Sequence, residues 1–178
     1  MIHIKTGDTM YYLNTFLLYS ILGFLLETGI SMITKSHFQS GIMHGPWTPI
    51  YGLGVIVIIL LSNYLFYNLH MPRWIETIFA FIIITIILTA LEWLGGVLIE
   101  KCFHIVFWDY SKEAFSIGKY ISLSKSLIWG VGSIIFIYAI KPLLEGIVKN
   151  IPSTLTIIIT FIFILDFIIT FIQKAHIK

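Results

Sequence analysis

Charge is what this 178-residue chain has least of: Asp, Glu, Lys and Arg make up 11% of it, where a soluble domain carries about 25%. With 58% of its residues hydrophobic, the chain lacks the polar groups to cover a water-facing surface. Cysteine is nearly missing too. Cys102 stands alone, so no internal disulfide can form and the redox compartment is not legible. A net charge of +2 without any dense Lys/Arg run speaks against nucleic acid as a partner. There is no G-x-x-x-x-G-K-[ST] phosphate loop, which excludes the ATP-hydrolysing subunit of a transporter. Neither an H-E-x-x-H metal motif nor a nucleophile with a base at useful spacing is present, so no metal, cofactor or catalytic residue is assigned.

What the chain does have is long runs of Ile, Leu and Phe between short polar connections. A bilayer span needs about 20 apolar residues. Five runs meet that length, at about 11–33, 49–68, 74–99, 122–140 and 152–172. The predicted fold is therefore all-α: a polytopic transmembrane helical bundle of about five spans, with one or two irregular or re-entrant loops. Residues 1–178 read as a single integral membrane domain, multi-pass in the cell membrane, with no internal repeat. The first run is not followed by an A-x-A cleavage pattern and reads as a retained helix.

An odd number of spans predicts termini on opposite faces. The N-terminal face then carries Lys5, Arg73, Lys141 and Lys149, while the other carries Lys35, Lys101, Lys112, Lys119, Lys125, Lys174 and Lys178. The positive-inside rule favours the second face as cytoplasmic and the N-terminus as external. Spans one, three and five run in the same sense, and each has an acid about two-thirds along: Glu27, Glu92 and Asp166. Ser20, Gly23 and Ser31 share a helical face with Glu27, and Thr85, Thr89 and Gly96 share one with Glu92. Small residues and hydroxyls of this kind make helix–helix seams. The glutamates are different, because an ionised acid in mid-span costs about 2.5–3.5 kcal/mol. Two readings stay open for them: a shared functional pocket between spans one and three, or buried structural hydrogen bonding. For Asp166 the structural reading is preferred, since its helix has no matching polar stripe.

The stretch "GIMHGPWTPIYGLG", residues 41–54, follows the first span. Thr48 and Pro49 make a helix start, with a hydroxyl cap and then proline at the first helical position. Gly45 and Pro46 form a turn, while Trp47 and Tyr51 suit the membrane interface. Irregular backbone near membrane depth is tolerated where it lines a cavity or is buried in protein. The stretch therefore reads as a structural turn or as a lid over the acids, with His44 the one histidine beside them. His37, His70 and His104 read as structural loop residues. "WDYS", residues 108–111, allows a turn in which Asp109 or Ser111 bonds nearby backbone. It also allows a polar rim in which Asp109 and Tyr110 join Glu92. Ser122 or Ser124 caps the fourth span, and Trp129 lies one turn further in.

"FLLYSILGFLLETGIS", "GPWTPIYGLG", "WDYS" and "ISLSKSLIWG", in that order, resemble the CmpB-like membrane family, labelled "putative ABC-transporter type IV". By that resemblance Glu27, Gly45, Pro46, Pro49, Tyr51, Gly52, Trp108, Asp109, Tyr110, Ser124, Trp129 and Gly130 are signature positions. It implies a transport-associated or substrate-binding membrane component. Expected partners are the lipid bilayer, a separate ATPase or other membrane subunit, and a small-molecule or lipid ligand. Glu27, Glu92, His44, Tyr51, Trp108, Asp109, Tyr110, Ser124 and Trp129 are the candidate ligand-binding residues, with Gly45, Pro46, Pro49 and Gly52 shaping the loop. An intramembrane enzyme acting on a lipid or lipid-linked substrate is the alternative, with paired acids and a histidine for acid–base work. A non-transporting scaffold is a third reading.

Overall fold

The computed structural model describes residues 6–34, 41–68 and 71–175. Lys5, Lys35, His37, His70 and Lys178 lie outside the described residues. Helix α1 spans Thr6–Thr34, α2 Pro49–Asn68, α3 Arg73–Phe103, α4 Leu123–Ile135, α5 Lys141–Asn150 and α6 Ser153–Ala175. A π-helical stretch, Phe136–Ile140, joins α4 to α5 without a break. Five segments are long and apolar enough to cross a bilayer: Thr9–Thr34, Pro49–Phe66, Arg73–Phe103, Leu123–Asn150 and Ser153–Lys174. The protein is an all-α, multi-pass membrane protein.

Local chemistry sets the helix ends. Pro49 opens α2, and the Tyr51 N–H closes its first turn onto the Thr48 carbonyl at 3.1 Å. Helix α3 runs on to Phe103, one turn past the expected end at residue 99. It stops where His104 takes a left-handed conformation (φ 56°) and its N–H caps the Glu100 carbonyl, a common way to satisfy a helix's last acceptors. The Ser122 side chain caps α4 by accepting the Lys125 N–H at 3.3 Å. Residues 141–151, expected as a connection, are mostly helix. Pro142 withholds an N–H and crowds the carbonyl four residues back; the wider π turn just before it lets the helix continue. The Glu145–Lys149 pair (2.9 Å) then supports α5.

The chain divides into two compact units, Met1–Ile56 with Leu144–Lys178, and Val57–Leu143. In the first, α1 packs on α5 and α6: Asn14 donates to the Val148 carbonyl of α5 at 3.0 Å and accepts from the Thr156 hydroxyl of α6, and Phe16 meets Phe163 of α6 edge-on. In the second, α3 packs on α4, with Gly130 set against Phe81 and Thr85, and Ala80, Ile84 and Leu88 on α3 are almost wholly buried. A two-stranded hairpin, β1 (Ser116–Ile117) against β2 (Ile121–Ser122), precedes α4. Ile157, Ile158, Phe161, Ile162 and Phe167 on α6, and Ile82, Ile86 and Leu94 on α3, are exposed. Apolar surface of that extent is stable against lipid tails and not against water.

Candidate functional site

In the first unit, the Tyr51 hydroxyl donates to Glu27 Oε1. Tyr51 reaches the acid because α2 starts beside α1: the Thr48 N–H bonds the Ser20 carbonyl at 3.0 Å. The loop before it, 41–48, is held from α6. Asp166 accepts the His44 N–H on Oδ1 (3.2 Å) and the Gly45 N–H on Oδ2 (2.8 Å). The His44 ring meets Thr170 Oγ1 at 2.8 Å and Asp166 Oδ1 at 3.3 Å. Trp47, buried, packs edge-on against Phe163. Gly45 lies so close to the Trp47 indole and Asp166 that a Cβ would come within 3.0 Å of Asp166 Oδ2. His44, Gly45 and Trp47 therefore belong to a loop clamped by α6, with Asp166 as the anchor.

In the second unit, Glu92 is buried, and its Oε1 accepts the Tyr110 hydroxyl at 2.9 Å. The Trp129 indole N–H bonds the same carboxylate, yet Oε2 keeps no hydrogen bond of ordinary geometry; we take Trp129 as the weaker donor. Thr89 Oγ1, one turn back on α3, and Trp108 Nε1 are likewise buried without a partner. Buried polar atoms are normally satisfied, so three unsatisfied ones in a single unit mark this region out. Tyr120 packs on Gly96, one turn beyond Glu92, and Trp108 meets the Tyr120 ring edge-on at 6.0 Å.

The loop around that acid is tied by its own charges. Lys125 lies over the Tyr110 ring at 5.3 Å and pairs with Glu113 at 3.2 Å. Hydrogen bonds from Ser124 and Ser122, with Lys125 beside them, bring the Glu113 carboxyl down to about 2. Lys119 pairs with Glu100 at 2.5 Å, and the Tyr120 hydroxyl donates to Glu100 at 2.6 Å. Burial, with that bond, pushes Tyr120 up to about 12. Asp109 turns back to accept the Ser111 N–H at 2.8 Å, and these Ser111 bonds lower its pKa. Of the "WDYS" residues, Tyr110 reaches Glu92 and Asp109 serves the turn. Among the described residues, no three His, Cys, Asp or Glu side chains group as metal ligands.

Residues 14–174 match the family model described as "Putative ABC-transporter type IV". The chain belongs to this CmpB-like family. No curated protein and no solved structure matches it. Of the positions expected as signatures from the resemblance, Glu27, Gly45, Pro46, Pro49, Tyr51 and Gly52 fall in the first unit. Trp108, Asp109, Tyr110, Ser124, Trp129 and Gly130 fall in the second. Glu92 joins them through Tyr110 and Trp129. Glu100, Glu113 and Asp166 were not among the expected site residues; an acid paired with lysine, serine or backbone N–H groups from another segment leaves no local spacing to read.

Proposed function

We propose that this CmpB-like protein is a transport-associated component of the cell membrane that binds a hydroxyl-bearing ligand, a small molecule or a lipid headgroup, at Glu92. The observation that carries this reading is the set of buried, unpartnered polar atoms in the second unit: Glu92 Oε2, Thr89 Oγ1 and Trp108 Nε1. The carboxylate oxygen is an acceptor, the indole nitrogen a donor, and the threonine hydroxyl either. A bare cation could be held by the carboxylate and the threonine oxygen but would leave the indole donor unanswered. A ligand hydroxyl donates and accepts, so hydroxyl groups can answer all three. Tyr110 orients the carboxylate by holding Oε1, and Lys125 over the Tyr110 ring fixes that tyrosine in turn. With no phosphate loop in this sequence, transport driven by ATP would take a separate ATP-hydrolysing subunit.

Native mass spectrometry of the protein extracted mildly from its membranes tests the reading. A co-purified small-molecule or lipid adduct is expected on the wild type and at least tenfold less of it on Glu92→Gln, which keeps the side chain's shape and removes its charge. Equal adducts on both proteins, or none on either, would refute it. ATPase activity co-eluting with the tagged chain is the expected sign of the partner subunit.

A further inference from the structure

The two units repeat one set of contacts. In the first, the Ser20 hydroxyl donates to the Phe16 carbonyl at 2.7 Å; in the second, Thr85 does the same to Phe81 at 2.6 Å. Against Phe16 and Ser20 sits Gly52 of α2, so close that a Cβ would lie 2.8 Å from Phe16 Cδ2 and closer still to Ser20 Oγ. Against Phe81 and Thr85 sits Gly130 of α4, where a Cβ would lie 2.7 Å from Phe81 Cε2 and closer still to Thr85 Oγ1. Two turns beyond the hydroxyl stands the acid, Glu27 or Glu92. The residue before the glycine, Tyr51 or Trp129, donates its polar hydrogen to that acid.

The register is constant. Phe81, Thr85 and Glu92 stand 65 residues after Phe16, Ser20 and Glu27; Trp129 and Gly130 stand 78 after Tyr51 and Gly52. Burial follows the same register. Ala80, Ile84, Leu88, Glu92 and Gly96 form the buried row of α3. Their counterparts Thr15, Tyr19, Gly23 and Ser31 are buried on α1, with Glu27 half-buried between them. On the partner helices, Gly52, Val55 and Ile58 are buried, as are Gly130, Ser133 and Phe136. "IYGLG" and "IWGVG" are the sequence trace of the match, residues 50–54 and 128–132. Two unrelated helix pairs would not be expected to repeat a back-bonding hydroxyl, a facing glycine, an acid and an aromatic donor in one register.

We infer that residues 14–58 and 79–136 are two copies of one helix–loop–helix unit, and that Glu27 with Tyr51 is a second ligand carboxylate, equivalent to Glu92 with Trp129 and taking the same class of ligand, a hydroxyl-rich headgroup or free polyol. The ligand class rests on the function proposed above; the duplication stands on the repeated contacts alone. Membrane transporters are often built from internal repeats that each contribute to binding.

The test uses the full chain in phosphatidylcholine nanodiscs, with free glucose in one arm and glucosyl diacylglycerol in the bilayer in the other. Bound sugar per chain is read by native mass spectrometry at saturation, and the arm that binds identifies the source. Two equivalents are expected on the wild type, one on Glu27→Gln, one on Glu92→Gln and none on the double variant. Tyr51→Phe, which removes one hydroxyl and keeps the ring, is expected to weaken the Glu27 equivalent at least fivefold, so a folding defect in Glu27→Gln does not decide the matter. A single equivalent that survives Glu27→Gln and Tyr51→Phe but not Glu92→Gln would overturn the second site and leave the Glu92 reading standing. No bound sugar on the wild type in either arm would overturn the ligand class at both acids.

Discussion

Replacing Gly130 by alanine tests the seam between α3 and α4 directly. The added methyl would lie 2.7 Å from Phe81 Cε2 and nearer still to Thr85 Oγ1, well inside ordinary contact distance. Neither neighbour can step aside freely: the Thr85 hydroxyl is bonded to the Phe81 carbonyl at 2.6 Å, and Ile84 beside it is fully buried. Overpacking of this kind costs about 1–3 kcal/mol, or about tenfold in the folded-to-unfolded ratio for each 1.4 kcal/mol. Both obstructing atoms belong to side chains, so trimming one should relieve the clash. Thr85→Ala removes the nearer atom and gives up a hydrogen bond worth about 0.5–1.5 kcal/mol. The double variant Gly130→Ala/Thr85→Ala should therefore be more stable than Gly130→Ala alone. Gly52→Ala offers no such rescue, because its methyl would also meet the backbone carbonyl of Phe16. Thermal unfolding in detergent, followed by the fraction that still elutes as a monodisperse peak, measures all four proteins. A double variant no more stable than the single one would refute the packing account.

Reporter fusions at Asp8 and Lys178 should give opposite readouts, as five spans require; matching readouts would mean an even number of crossings. Asp166→Ala should free the backbone N–H groups of His44 and Gly45, and hydrogen exchange at those two amides should speed up while exchange along α1 stays slow. Glu113 predicts a pH effect: its folded pKa, about 2, lies below the ordinary 4.5, so the stability it gives is complete above the ordinary value and is lost as pH falls from there towards 2. Ser124→Ala should shift that loss to higher pH, read by tryptophan fluorescence during acid titration. Pro46→Ala and Pro49→Ala should loosen the start of α2 while leaving membrane insertion intact, so ligand retention should fall further than expression does.

How much of this could be read from residue order depends on how far apart the partners lie. Span number and type were legible because run length and hydropathy are local properties, and the start of α2 was legible because Thr48-Pro49 is a local signal. Glu27 and Glu92 stood out because an acid within an apolar run is costly wherever it points. Their donors were harder to assign. Tyr51 suits an interfacial belt as well as a hydrogen bond to an acid 24 residues away, and only tertiary packing decides between them. Asp166 was illegible as an anchor because it binds backbone N–H groups, which any residue supplies. The partners of the loop lysines were equally out of reach, because each lies in another segment. Lys119 and Lys125 pair with Glu100 and Glu113, acids at or beyond the helix end, where hydration lowers the cost of charge.

The duplication was hidden by its own divergence, and that divergence assigns different work to the two copies. From acid to aromatic donor is 24 residues in the first copy, Glu27 to Tyr51, and 37 in the second, Glu92 to Trp129. The extra residues are shared between a longer α3, which runs on to Phe103, an earlier start of α4 at Leu123, and the connection between them, which builds the β1–β2 hairpin and sends Tyr110 to Glu92. The shorter loop of the first copy is pinned from α6 by Asp166. The second copy closes over its acid with a hairpin ordered by Glu113, Lys125 and Tyr120, and buries the acid more completely than the first. The longer loop brings a second donor, the Tyr110 hydroxyl, to its acid. If both copies bind, affinity should follow that asymmetry: the equivalent lost in Glu92→Gln is the tighter one, and the equivalent lost in Glu27→Gln exchanges faster. Equal exchange rates at the two acids would show that the added loop contributes nothing to holding the ligand.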